Sequence, residues 1–399
     1  MSANGYKYNS HYAFGTMMLM LFLMPFWMGL FWYLSPKRKM VVAIVDKTVI
    51  NAEGQEHISL NWVLRQEKYA KANQDLYEQS RDYYGFFPKK NQQFELKGLE
   101  RFNSSQLNQL SDDADMAYFT DAYGVYKNEW YGLNDEKERS GMLYGGMSEQ
   151  DFEFLKLMKE KKKLIITEFN CLASPTPPSV RERFEQQFGI KWTGWIGRYF
   201  DSFDSTTNKE LPMWLIKNYR SQNNGEWPFI KSGIAFVHSD GKIVVLENEK
   251  DLLFEFPEIV SNKEGQEKYK LPVKIPYNFW FDIIEPDANF NHLIASFAIQ
   301  TNSRGTSILE KHGIPSSFPA VTIHLRDDYQ FFYFSADFSD NPISIKSAYL
   351  KGMPLFKSVM YNNRERMGRK AFFWEIYQPL VTTILDNYYQ SKVAIQYKE

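Results

Sequence analysis

The sequence predicts an α/β protein: a three-layer domain on a parallel sheet, a β-rich C-terminal extension, and one transmembrane helix ahead of both. Three patterns lead there. Apolar runs that carry an acid at the end (40–46 at Asp46, 115–121 at Asp121, 164–169 at Glu168) read as strands buried on both faces, as in parallel sheets. Helical signals with short joints alternate with them, the βαβ arrangement. An uncharged run over 12–36, closed by Lys37-Arg38-Lys39, stands in front. The expected division is a tail over 1–12, a membrane helix over 13–34, an α/β domain over 40–230, and a β-rich part over 231–399 that packs on the same sheet or extends it.

From Ala13 to Leu34 every residue is apolar, aromatic, Gly, Thr or Pro. At ~1.5 Å per helical residue this covers roughly 30 Å, one hydrocarbon core. Trp27, Trp32 and Tyr33 lie where amphipathic rings favour headgroups, and Pro25 implies a kink at most. The run lacks a basic leader and a small-x-small site, so a retained anchor fits better than a cleaved signal. Three basic residues after the helix, against Lys7 and the amino terminus before it, lean the large domain towards the cytoplasm. The expected partners are the bilayer, a glycan or envelope component, and other membrane proteins.

The chain has 47 basic and 48 acidic residues, so no bulk attraction to nucleic acid follows. A single cysteine, Cys171, excludes internal disulfides and cysteine-rich metal sites; no metal-ligand spacing, phosphate loop or cofactor motif stands out.

After the first strand a helix is expected over about 57–72, on Leu60, Val63, Leu64 and Tyr69, and then an irregular polar stretch over 73–112. Ser148-Glu149-Gln150-Asp151 fits a capping box. Phe152, Leu155 and Met158 recur at helical spacing up to a basic end that suits the helix dipole. Ser179-Val180-Arg181-Glu182 opens another helix, ending at Phe188-Gly189. The second half reads as strands: a hairpin over 233–246 on a Ser239-Asp240-Gly241 turn, then 277–284, 292–300, 320–325 and 330–335. A helix over 371–389, with Phe372, Ile376, Leu380 and Ile384 on one face, follows.

Ligands of open α/β sheets bind beyond the carboxyl ends of the strands. If the acid-tipped strands are neighbours, Asp46, Asp121 and Glu168 face one crevice, with Lys47, Thr48, Tyr123 and Asn170 beside them. Carboxylates so placed could do acid–base work, with His57 as base, or hold sugar hydroxyls; turn capping and ion pairing are the plainer roles. The run Trp192-Thr193-Gly194-Trp195-Ile196-Gly197-Arg198 offers a flat face at Trp195 and a guanidinium fork at Arg198, or simply a packed strand pair. Asp282 and Asp337 place acids beside aromatics at strand ends. The favoured reading is a membrane-tethered protein that binds a polar or carbohydrate ligand. The alternatives are a hydrolase built on Asp46, His57, Asp121 and Glu168, and a scaffold in a membrane assembly.

The βα unit over 148–190 resembles the corresponding part of class I glutamine-amidotransferase-like, flavodoxin-like domains, which include non-catalytic versions appended to glycosidases and to membrane transport accessory proteins. The likeness covers 40–240 through strand order and a helix–strand–elbow–helix pattern. Active members present their nucleophile in a Gly-x-Cys-x-Gly elbow. Here Glu168-Phe169-Asn170-Cys171-Leu172-Ala173 keeps a cysteine and lacks both glycines. The family's His-x-Glu pair has one look-alike, His238-Ser239-Asp240, in a segment that also reads as a turn. The resemblance implies the fold without glutaminase chemistry. Through Asp46-Lys47-Thr48, Glu56-His57 and Asp82-Tyr83-Tyr84-Gly85-Phe86 the chain also resembles membrane-anchored bacterial proteins.

Overall fold

The computed structural model describes residues 14–20, 22–51, 55–132, 141–326, 328–362 and 368–396; the expected tail and residues 13 and 21 of the apolar run lie outside these. The strands of its two larger sheets begin with β1 (Val42–Asp46), β2 (Tyr84–Pro88), β3 (Phe94–Leu96), β4 (Met116–Asp121) and β5 (Leu164–Glu168). Next come β6 (Ile190–Phe200), β7 (Gly233–His238), β8 (Ile243–Glu247), β9 (Glu258–Ser261) and β10 (Lys274–Pro276). β11 (Phe281–Pro286), β12 (His292–Ala298), β13 (Ser317–Leu325) and β14 (Gln330–Phe334) complete the set. The helices needed below are α1 (Phe14–Met20), α2 (Met24–Leu34), α3 (Ile58–Gln66), α4 (Ser104–Asp113), α5 (Glu149–Glu160), α6 (Pro178–Phe188), α7 (Met213–Gln222) and α8 (Gln378–Gln396).

The acid-tipped strands are neighbours. A ten-stranded sheet runs β10-β9-β12-β13-β14-β5-β4-β1-β2-β3, parallel from β14 to β2 and antiparallel outside that block. Taken in chain order, the parallel strands lie 2-1-3-4-5, a doubly wound arrangement whose direction reverses between β1 and β4. Alternate side chains feed two cores. Val42, Ile44, Tyr118 and Ile166 pack under α3 and α8, with Trp62, Leu380 and Ile384. Ala43, Val45, Phe119 and Ile165 pack under α4–α6, with Leu107, Leu155 and Phe184. Burial on both faces is why these strands read as unbroken apolar runs.

The β-rich half divides between two sheets. β9, β10 and β12–β14 extend the main sheet, so that sheet draws strands from both sides of residue 230. The hairpin β7–β8 joins β6 and β11 in a second, antiparallel sheet of order β8-β7-β6-β11. The Asp282 N–H bonds the Ser335 carbonyl at 2.9 Å and ties the second sheet to the end of β14.

Several expectations are corrected. Residues 73–112 are not irregular: they hold β2, β3 and α4, the last with an Asn103–Gln106 capping box. Only Leu107 and Ser111 of α4 are buried, too few to mark an apolar stripe in the sequence. α3 stops at Gln66, because Lys68 turns to φ +55° and Tyr69–Ala70 pair in parallel with Arg38–Lys39. α6 begins one residue earlier than its expected serine cap, with Pro178 at a first-turn position where a missing N–H costs nothing. The final helix starts at Arg369 and passes through a π-helical turn at Phe373–Tyr377 before α8.

The anchor was expected as one helix, kinked at most at Pro25. Among the described residues no single helix is long and apolar enough to cross a membrane; α1 and α2 reach that length and hydropathy only together, bent by 51°. Pro25, at the start of α2, has no N–H to donate, and its ring crowds the preceding turn.

Candidate functional site

At the carboxyl edge of the parallel block, Asp46, Asp121 and Glu168 do converge, but in a buried layer. Asp46 sits opposite Asp121 in the β1–β4 register. Its Oδ2 lies 2.5 Å from His57 Nδ1, and its Oδ1 accepts the Thr48 N–H at 3.0 Å. His57 is fully buried, its ring 4.8 Å from Tyr83, and Nε2 donates to the Gln79 carbonyl at 2.7 Å. Both ring nitrogens are therefore occupied. Gly85 lets β2 close over this corner: a Cβ there would lie 1.6 Å from the Asp46 carbonyl oxygen.

Asp121 accepts the Tyr123 N–H at 2.6 Å, and burial, reinforced by Asp337 and Asp46, holds its carboxyl well above the usual range. Glu168 is enclosed entirely. Its Oε1 accepts from Tyr118, and its Oε2 takes the N–H groups of Phe338 and Ser339 at 3.0 and 2.9 Å and the Ser339 hydroxyl at 3.0 Å. Burial again pushes its carboxyl up. Residues 337–341 after β14 thus plug the crevice, fastened by Ser339 Oγ to the Glu56 carbonyl at 2.6 Å and by Asn341 to Ser59 at 2.9 Å. Asp337 is spoken for by Arg369 at 3.1 Å. Among the described residues no three His, Cys, Asp or Glu side chains are placed to hold a metal ion.

Lys47, expected beside a ligand, is engaged within the protein. Its Nζ is buried 2.5 Å from Asp151 and donates to the Gly146 carbonyl at 2.9 Å. Asp151 is also the capping-box acid of α5, so one carboxylate ties β1 to that helix. Thr48 accepts the Gly124 N–H at 2.9 Å. Arg198 pairs with Glu210 and lies along the rings of Phe200 and Trp280, while Asp282 is fully buried against the Tyr333 hydroxyl. Burial lowers the Arg198 guanidinium and pushes Asp282 up to about 7. These side chains hold the fold.

Beside this layer, between the β5 elbow and the second sheet, lies a cavity of about 320 Å³. Tyr123, Asn170, Trp192, Trp214, Asn218 and His238 line it. Tyr123 and Asn170 were expected at the site; the other four come from the second sheet and α7. Asn170 is the elbow itself, held at φ +69°, a conformation Asn tolerates better than most residues. Cys171, the next residue, points away into the core, and burial raises its thiol far above the usual range. The opposite wall is shaped by a bulge between Trp192 and Ile196, where the β6–β11 register shifts. Gly194 sits in it at φ +90°, and a Cβ there would lie 2.5 Å from His238 Nε2. The turn after β7 is docked on this bulge by the Ser239 N–H to the Gly194 carbonyl, 2.9 Å.

His238 lines the cavity and pairs with Asp240 outside it, Nδ1 to Oδ1, 2.8 Å. The Lys242 N–H and His238 hold the Asp240 carboxyl below its usual range. Trp195, expected to stack on a ligand, instead backs His238 at 4.8 Å and is nearly buried. The side-chain amides of Asn170 and Asn218 and the His238 Nε2 make no hydrogen bond to another described residue. Flat aromatic walls with unused donors and acceptors suit a small ring-bearing polar molecule. The sequence did flag the segment that makes the bulge. It gave no sign that the His238 turn folds back onto Gly194.

The chain matches no family model and no curated protein. Solved structures similar to it include β-galactosidase from Bacillus circulans sp. alkalophilus, 9% identical over 77% of this chain and 30% of that one, TM-score 0.33. A ThuA-like protein from Bacteroides uniformis is 8% identical over 87% and 98%, TM-score 0.35. A cytoplasmic protein from Salmonella typhimurium is 9% identical over 86% and 98%, TM-score 0.34. The chain spans under a third of the β-galactosidase and nearly all of the other two.

Proposed function

We propose that this is a membrane-anchored binding protein whose ligand is a saccharide-sized polar molecule held between the β5 elbow and the second sheet. One observation carries the reading: the cavity of about 320 Å³ pairs the aromatic faces of Tyr123, Trp192 and Trp214 with the amides of Asn170 and Asn218. Ring C–H faces pack on the former and hydroxyls pair with the latter. The uncharged α1–α2 pair and its exposed aromatics support the anchor. The charge excess after α2 keeps the body on the cytoplasmic side in this reading, where the ligand would be a glycan precursor.

The test is ligand-detected NMR with neutral hexose and N-acetylhexosamine disaccharides, together with tryptophan fluorescence. Binding that quenches fluorescence in the native protein, and not in Trp192→Phe/Trp214→Phe, supports the proposal. No saturation transfer to any saccharide contradicts it.

A second reading has one specific support: His238 on the cavity wall pairs with Asp240, outside the cavity, at 2.8 Å. An imidazole oriented by a carboxylate can act as a general base. In that case His238→Gln abolishes turnover of a bound saccharide ester or glycoside and leaves its affinity within a factor of about two. The carboxylates Asp46, Asp121 and Glu168 offer no such route, since none faces the cavity.

A further inference from the structure

The apolar α2 is not a free tether. Its Trp32 is buried against the body, donating to the Arg65 carbonyl at 3.0 Å and meeting the Tyr349 ring edge-on at 4.7 Å. Lys68 donates to the carbonyls of Tyr33 and Ser35 at 2.9 and 2.6 Å, capping the helix where its dipole is negative. The Lys351 N–H bonds the Met28 carbonyl at 3.1 Å, and Gly29 faces Leu350. Met28 lies six residues before the end of α2 at Leu34, about 9 Å along the axis at ~1.5 Å per residue. The body segment at 350–351 therefore stands beside α2 at the level of its aromatic belt, Trp27 to Tyr33.

That level carries a second apolar surface. On α2 the outward residues Phe26, Phe31, Tyr33 and Leu34 are 60–74% exposed. On the turns that follow residues 350–351, Leu355 is 84% exposed and Val359 72%; exposed apolar side chains grouped beside an apolar helix mark an interaction surface. Cations accompany them. Lys346 is exposed, and Lys351 and Lys357 are about 40% exposed in solvent-screened pairs with Glu67 at 3.5 Å and Glu375 at 2.7 Å, weak enough for a headgroup to compete with; Lys37 and Lys351 both add to the burial that lowers Lys68. Charges placed beside an apolar face match anionic headgroups above acyl chains.

We propose that, given the anchor, the body docks on the bilayer through Leu355 and Val359, with Lys346, Lys351 and Lys357 at anionic lipid headgroups. The anchor and the docked turns then fix the orientation of the body, and with it the mouth of the ligand cavity, relative to the membrane.

The full chain in nanodiscs containing phosphatidylserine tests this, with a fluorophore placed singly by Phe26→Cys, Leu355→Cys, Val359→Cys or Ile230→Cys. Cys171 is buried and does not compete for label. Lipid-borne nitroxide should quench positions 26, 355 and 359 at least threefold more than position 230, which lies on the second-sheet side. Quenching at 26 with 355 and 359 no different from 230 overturns the docking and leaves the anchor standing. No quenching at 26 overturns the anchor and the docking with it. Discs of phosphatidylcholine alone should at least halve the quenching at 355; equal quenching in both lipids overturns the headgroup contact.

Discussion

Two regions at the same end of the molecule use their polar groups in opposite ways. At the carboxyl edge of the parallel sheet, Asp46, Asp121, Glu168 and Lys47 are buried and their hydrogen-bonding capacity is spent inside the protein. In the neighbouring cavity the amides of Asn170 and Asn218 and the Nε2 of His238 line an open wall and keep theirs. A buried charge is stable only when paired, and a group so paired has nothing left for a ligand. The converging acids are paired within the protein, while the proposed site is sought where polar groups remain unsatisfied at a surface.

The sharpest way to break this contrast is to remove a charge from the joint. Lys47→Met strands Asp151 and should cost about 3–5 kcal/mol in urea unfolding, the range for one partner of a buried pair. Loss of saccharide binding without loss of stability would place Lys47 at the site instead. Glu168→Ala leaves the Phe338 and Ser339 backbone N–H groups unpaired, while the Tyr118 hydroxyl keeps Tyr377 at 3.0 Å, and should cost about 3 kcal/mol, given ~1–3 for each unmet buried group.

A smaller effect is expected from pH. Burial raises Asp282 from its usual value to about 7, so the folded state holds a proton that the unfolded chain releases near pH 4. That stabilisation is fully present below about pH 4 and is lost as pH rises towards 7. Asp282→Asn should flatten this fall in chemical-denaturation midpoints between pH 4.5 and 7; an unchanged slope would show that another group controls it. The mildest change sharpens the other side of the comparison. Asn218→Leu should weaken saccharide binding about tenfold, the worth of one good hydrogen bond at ~1.4 kcal/mol, with melting temperature unchanged.

The parallel strands and α5 were legible because their signals are local: apolar runs bounded by acids, and a capping box at Ser148–Asp151 whose geometry is as expected. That Asp46, Asp121 and Glu168 sit on neighbouring strands was left as a condition by the pattern and is met by the strand order. What could not be read was closure. The plug at 337–341 reaches Glu168 across some 170 residues, and no local pattern encodes that encounter. α4 was hidden by its polar surface, and the cavity by its dependence on three separated pieces: the elbow at Asn170, the bulge at Gly194 and the turn at His238. His238-Ser239-Asp240 does form a turn, and the turn is also where the cavity obtains its imidazole.

The central claim, that ligand is held in the cavity and not at the buried acids, is tested most directly by comparing Asn170→Leu with Asp46→Asn in one saccharide titration of folded protein. The account predicts that Asn170→Leu loses at least tenfold in affinity at an unchanged melting temperature, while Asp46→Asn melts earlier and binds as the native protein does. Native-like binding by Asn170→Leu, with binding lost in folded Asp46→Asn, would contradict it.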